Sequence, residues 1–202
     1  MISPELNMRL AGEDDVPAVA HVLNDVSEGV IEHLLTGVVP GMGPEKLLQM
    51  VLMRGQGTYD LNNIVLFEVR GTLAGLLFSY DAALQKVPAV MEGFIAKAKL
   101  DAVRPLLEAS YPDALWINTF WVADEFRGQG LSRLMMTLAE DMARDSGKKA
   151  LALHCWADNA RAIRFYEKAG FAKAGVIPSG GPLLERHPAG GELWVKAVAG
   201  TK

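Results

Sequence analysis

Val122-Ala123-Asp124-Glu125-Phe126-Arg127-Gly128-Gln129-Gly130-Leu131-Ser132 is the stretch on which the fold turns. Immediately before it, Leu115 to Val122 is an apolar run that predicts a buried, central strand. Immediately after it, Leu131 to about Ser146 reads as an amphipathic helix, ended by Gly147. A strand that runs through two glycines into a helix brings main-chain N–H groups and the positive end of a helix dipole to one place. That arrangement suits a pyrophosphate. The Gly-Lys-Ser/Thr ending of a P-loop is missing, and so is the third glycine of a dinucleotide fingerprint. Taken alone, such a turn is equally well a structural one.

A second constellation lies downstream, from Asp158-Asn159-Ala160-Arg161-Ala162 through Phe165-Tyr166-Glu167-Lys168 to Ala169-Gly170-Phe171. Asp158 reads as an N-cap acid and Gly170 as the C-cap of a helix over Asp158 to Ala169. Asn159, Ala162 and Tyr166 fall on one helical stripe. By themselves these residues favour a cap and a core tyrosine.

Working outward, the remaining elements alternate. Residues 6–11 predict a short strand. Glu13-Asp14-Asp15 followed by Pro17 predicts a helix start with a capping acid, and Ala18, Val19, Val22, Leu23 and Val26 continue it at helical spacing. Gly37 to Pro44 is a loose stretch, and a second helix is expected from about Pro44 to Arg54. Ile64 to Val69 and Leu73 to Tyr80 predict a hairpin turning at Arg70-Gly71. Residues 84–110 read helical, with Pro105 breaking the later part. Because they lie between two strands, a helical insertion at about 81–113 is expected within a single domain over 1–202. Ala150 to Cys155, Phe171 to Ile177 and Glu192 to Val198 are the last strands. The order is mixed α/β.

Composition narrows the function. The chain has 202 residues, half of them hydrophobic and 22% charged, which excludes disorder and allows one domain with a proper core. One cysteine, Cys155, excludes a disulfide framework and a cysteine-rich zinc site, and the four histidines are scattered, so no metal is expected. Met42, Met50 and Met53 read as core or lid packing. A net charge of −4 argues against a nucleic-acid partner. Met1-Ile2-Ser3-Pro4-Glu5 does not read as a signal peptide and no apolar run is long enough to span a bilayer, so a soluble cytoplasmic protein is expected. Charge is uneven: Asp25, Glu28, Glu32 and other acids crowd the first 45 residues, and 123–173 is slightly basic. Two solvated faces explain this, or an acidic rim that attracts a cation beside a basic half that holds an anion.

The two constellations together resemble the GCN5-related N-acetyltransferase (GNAT) family. Arg127-Gly128-Gln129-Gly130-Leu131-Ser132 is similar to its Arg/Gln-x-x-Gly-x-Gly/Ala signature, with serine at the last position. Asn159 through Phe171 is similar to the helix that follows in that family. The resemblance is strongest over about 115–175. It implies a mostly antiparallel central sheet of about six to seven strands, flanked by helices, with a splayed central strand pair. It implies acetyl-CoA as co-substrate, a primary amine on a small molecule or peptide as acceptor, and a homodimer as one assembly. Phe120, Trp121 and Val122 would pair with the pantetheine arm through their main chain. Gly128 to Arg133 would supply amides around the pyrophosphate, and Asn159 would bond the pantetheine, with Ala162 on its stripe. Tyr166 would protonate the leaving thiolate.

The acceptor ammonium must lose a proton before it attacks. At the fourth-strand positions where the family often keeps a base stand Trp116 and Asn118, which cannot serve. At the fifth-strand position stands His154, an imidazole suited to the task or a strand histidine with a structural partner. Glu68, Asp81 and Asp124 are weaker alternatives. The absence of a fourth-strand base also admits a different class, a catalytically silent acyl-CoA-binding module.

Overall fold

The computed structural model describes residues 5–55 and 57–198. Met1 to Pro4, on which the reading of the chain's start rests in part, lie outside the described residues. Seven strands form one sheet: β1 (Leu6–Leu10), β2 (Ile64–Val69), β3 (Thr72–Asp81), β4 (Ala114–Val122), β5 (Ala150–Trp156), β6 (Ala172–Ile177) and β7 (Gly191–Ala197), in the order β1-β2-β3-β4-β5-β7-β6. Every neighbouring pair is antiparallel except β4 and β5, which run parallel. The helices are α1 (Val16–Val26), α2 (Val30–Leu35), α3 (Pro44–Arg54), α4 (Ala89–Phe94), α5 (Lys97–Leu107), α6 (Leu131–Asp145), α7 (Ala160–Lys168) and α8 (Leu183–Arg186).

Helices cover both faces of the sheet, which is why its central strands are mostly apolar instead of alternating. On one face Val19 and Leu23 of α1 and Leu48 and Leu52 of α3 pack on Ile64, Leu66, Phe78 and Trp116. On the other, Met135 and Ala139 of α6 and Tyr166 of α7 pack on Phe67, Leu77, Ile117 and Leu153. A smaller cluster joins Val30 and Leu34 of α2 to Ile95, Leu100 and Val103 around α5, and to Trp156 and Leu183. The helices between β3 and β4 are thus seated on α2 at one end of the sheet.

Several local readings are corrected. Pro105 lies inside α5, which runs on to Leu107. It removes one N–H two residues before the helix stops anyway, so the loss falls where little helix remains to break. Asp15 does not cap α1 with its side chain. Its carboxylate instead accepts from the Gly12 amide at 2.7 Å and from Arg9 at 2.6 and 2.8 Å. Met50 and Met53 are exposed, not packed. The short helices α2 and α8 carry too few residues for a periodic signal.

Arg9 also reaches Glu68, at 2.5 and 3.1 Å, and so clamps β1 to β2 and to the start of α1. Hydrogen bonding to its guanidinium holds the Asp15 and Glu68 carboxyls below the ordinary range. Carboxyls depressed in the folded state stabilise it above their unfolded values, and that contribution is lost as pH falls through the folded values. Urea unfolding across about pH 5 to pH 3 is expected to show a loss of stability that Arg9→Met flattens. A mutant curve parallel to the native one would show that the clamp contributes nothing.

Candidate active site

The site begins with a defect in pairing. β3 and β4 pair Ser79 with Ile117 and Phe78 with Thr119, which leaves Asn118 as an extra residue on β4. A bulge bends its strand and increases its twist. At the same place the parallel pairing of β4 with β5 ends, at Ile117 opposite Leu153. β4 continues to Val122, held by β3, and β5 continues to Trp156, held by β7. Each strand is therefore fixed on its outer side, and the inner edges diverge. The Asn118 amide donates to the Tyr80 hydroxyl at 3.2 Å and accepts from the Thr119 hydroxyl at 3.1 Å, which fixes the bulge with side-chain bonds.

A cleft of about 620 Å³ fills the fork. Phe120, Trp121, Val122, Arg127, Gly128, Ser132, His154, Asn159, Ala162 and Tyr166 all line it, so these sequence-selected residues meet in space. Gly130 and Arg133 line an adjoining hollow of about 410 Å³, together with Gly128, Ser132, Lys168 and Lys196. Gly128 and Gly130 sit at φ 76° and 95°, backbone that L side chains rarely adopt. They turn the chain so that Gly130 caps α6. Among the described residues, the amides of Gly128 through Ser132 have no intramolecular acceptor. This is the donor set that an anion needs.

Three residues hold other posts. The Leu131 side chain is buried in the core, so only its main chain faces the loop. Gln129 is exposed and donates to the Glu125 carbonyl at 2.6 Å. Arg127 donates to the Val122 carbonyl at 3.0 Å and pairs with Asp124, so it braces the loop against the end of β4.

On the β5 side, Asn159, not Asp158, caps α7; its Oδ1 accepts from the Ala162 amide at 3.1 Å. Asp158 turns away and holds His187 instead, at 3.0 and 3.1 Å. Tyr166 is buried between Phe165 and Phe171. Its hydroxyl has no hydrogen-bond partner among the described residues, and burial, with a smaller effect of Cys155, pushes its pKa up. Cys155 faces the α6 side among apolar groups, and burial pushes its thiol up to about 12, which keeps it protonated and unreactive.

His154 does not suit the role of proton acceptor. Its Nε2 is shut from solvent without a hydrogen-bond partner, against the main chain of Gly191, where no side chain would fit. Burial, with His187 adding to it, pushes its pKa down to about 3. Taking a proton from a lysine-like ammonium would then be uphill by roughly 10 kcal/mol. The alternatives are committed elsewhere: Glu68 to Arg9, Asp81 to Lys148 at 2.5 Å, and Asp124 to Arg127. The carboxylates on the cleft lining are Asp25 and Glu28. Glu28 shows in the sequence only as one of the acids crowding the first 45 residues, and His187 had no signal, since Asp158 and His187 meet only through the fold.

Residues 84–171 match the model of the acetyltransferase (GNAT) family. That stretch, which holds the glycine loop and the helix after it, is similar to the GNAT family. An uncharacterized N-acetyltransferase of Bacillus subtilis (strain 168), YdgE, is 34% identical over 76 residues, which span 38% of this chain and 45% of that protein. The matched segment thus covers less than half of that relative's length. An N-acetyltransferase structure from Staphylococcus aureus Mu50 superposes with a TM-score of 0.70 at 17% identity, over 94% of this chain and 99% of that one. A spermidine N-acetyltransferase from Vibrio cholerae, solved with CoA and spermine, gives 0.58 at 14% identity, over 97% of each. At these identities the two structures establish a shared GNAT fold. No helix among the described residues is long and apolar enough to cross a membrane.

His154 is expected to remain neutral from pH 5 to pH 8. Its ring carbon-bound protons, followed by NMR, are expected to show no titration there. A midpoint near 6.5 would restore it as a candidate base.

Proposed function

We propose that this protein transfers an acetyl group from acetyl-CoA to a primary amine, by direct attack of the amine on the thioester. The observation that carries this reading is the fork between β4 and β5 opening onto the unpaired amides of Gly128 to Ser132. The residues present fit the cofactor. The amides of 128–132 would hold its pyrophosphate, and Arg133 and Lys168 beside the adjoining hollow would offer charge to a further phosphate. The inner edge of β4 over Phe120 to Val122, which lacks a β5 partner, would take the pantetheine arm as an added strand, with the Val122 carbonyl already given to Arg127. The Asn159 Nδ2 would donate to the same arm, since its oxygen is spent on the cap.

Bound acetyl-CoA supplies an activated acyl carbon and a thiolate leaving group. Tyr166 would give its proton to the departing sulfur. Its raised pKa keeps the hydroxyl protonated until the sulfur leaves, so the transfer must be concerted with bond cleavage. The two flanking rings fix the phenol for that single task.

Two measurements test the reading. Acetyl-CoA at about 100 times its Kd is expected to raise Tm by about 5–10 °C. Gly130→Glu, which puts a carboxylate among the free amides, is expected to abolish that rise, and a surviving rise would remove the loop from the site. Tyr166→Phe keeps the ring and is expected to lower thiol release with an amine substrate by roughly 10²–10⁴-fold with little change in Tm. Equal turnover would make Tyr166 a packing residue, and a native protein that binds acetyl-CoA without releasing thiol would be a silent binder.

A further inference from the structure

The half of the cleft away from the glycine loop has a wall of a different kind. Val30 and Leu34 of α2, Met91 of α4, Leu106 of α5, and Trp116 and Trp156 of the sheet face it. Its carboxylates are Asp25 and Glu28. Asp25 is 65% exposed and points toward His21, at 3.8 Å. Glu28 is only 32% exposed and sits at the join of the two halves, where its Oε1 lies 3.4 Å from the Asn159 Nδ2.

Glu28 is held there at a cost. Its φ is 49°, a left-handed value in a residue with a side chain, and Gly29 follows at 98°. Such a conformation is strained for a residue with a Cβ. It persists because His187, 3% exposed, closes around it. His187 Nδ1 meets the Asp158 carboxylate at 3.0 Å, Nε2 meets the Glu28 carbonyl at 3.3 Å, and the ring stacks on Trp156 at 3.9 Å. The α1–α2 turn is thus pinned from the segment before β7, and its carboxylate is aimed at the fork.

We infer that the acceptor is a primary amine with one positive charge on an apolar or aromatic body, and that Glu28 receives its ammonium and takes its proton. This rests on the acetyl-transfer reading above. The charge pattern selects against a polyamine: of the two lining carboxylates Asp25 lies at the exposed edge toward His21, so a second ammonium on the apolar wall would be desolvated away from it, and the cations on the lining, Lys86 and Arg161, would repel it. The step balances. The ammonium gives one proton to the Glu28 carboxylate, which passes it to solvent. The nitrogen lone pair forms the C–N bond, the C–S bond breaks, and the nitrogen's second surplus proton is matched by the one that Tyr166 delivers to sulfur and then recovers. His187 and Asp158 are positioning residues, acting through Glu28.

The test uses the whole chain, acetyl-CoA and thiol release. 2-Phenylethylamine is expected to give a kcat/KM at least about 10²-fold above spermidine and above a lysine-rich peptide. Glu28→Gln keeps an oxygen for Asn159 but cannot take a proton. It is expected to lower kcat/KM for 2-phenylethylamine by about 10²-fold while the acetyl-CoA shift in Tm stays. A less basic β-fluorinated analogue is expected to recover part of the loss, as is higher pH, which a merely structural role would not produce. His187, 3.6 Å from the Glu28 carboxylate, and Asp158 beside it are the titratable groups that face Glu28, and they are unchanged in this variant. Preference for spermidine or the peptide overturns the substrate class, and an unimpaired Glu28→Gln overturns the role of Glu28; both leave acetyl transfer standing. If acetyl-CoA binds and no amine is acetylated, failure of 2-phenylethylamine to bind the CoA complex by calorimetry overturns the inference as well. Absence of any acetyl-CoA shift defeats the underlying reading instead.

Discussion

One extra residue, Asn118, carries the architecture of the site. The sheet is held by β4 at its centre, and a bulge there cannot be absorbed by both neighbours at once. β3 keeps its pairing to β4 on the far side of the bulge, and β5 loses it. Main-chain groups left unpaired inside a protein are costly. Here they lie along a cleft, where water or an extended ligand can satisfy them. A defect in the ladder thereby becomes the place where a pantetheine-like chain would complete the sheet.

The two faces of that cleft are stabilised differently. The glycine-loop side rests on α6, whose first turn is fixed by the buried Leu131 beneath it and by Arg127 tied to the end of β4. The opposite side rests on contacts between distant segments: α2 on α5, Trp156 on His187, and Glu28 on both His187 and Asn159. The first side is built mostly from contiguous sequence and tolerates little change. The second is assembled from pieces whose composition can vary while the sheet persists, which suits the part of an enzyme that selects its acceptor.

Legibility in the sequence follows the same division. The strands, the hairpin at Arg70-Gly71 and the loop and helix at 127–146 were readable because their signals are local: apolar runs, turn glycines and a 3.6-residue period. The gathering of Asn159, Ala162 and Tyr166 around that loop followed from helical spacing together with the family resemblance. The fork was expected from the resemblance alone, since a bulge leaves no mark in composition. His154 was legible as a strand residue on the cleft side. Its desolvation by Gly191 was not, because it depends on the register of β7 against β5. Glu28 was visible as one acid in an acidic stretch, but its placement, and His187 altogether, escaped for a similar reason, as a left-handed turn and a buried imidazole acquire meaning only when Trp156 and Asp158 are brought to them.

The position of β7 has a consequence for how the molecule is made. β7 lies between β5 and β6, bonded on both edges, and among the described residues β6 has no other strand partner. During synthesis β5, α7 and β6 emerge before the strand that joins them. Until residues 191–197 leave the ribosome, the outer edge of β5 is unpaired and apolar at Leu151 and Leu153, an adhesive surface for other chains. The segment that pins Glu28 also arrives in that interval, since His187 and β7 are neighbours in sequence. Closure of the sheet and completion of the acceptor wall are therefore one late event, and the nascent chain has no finished cleft before it has a finished sheet.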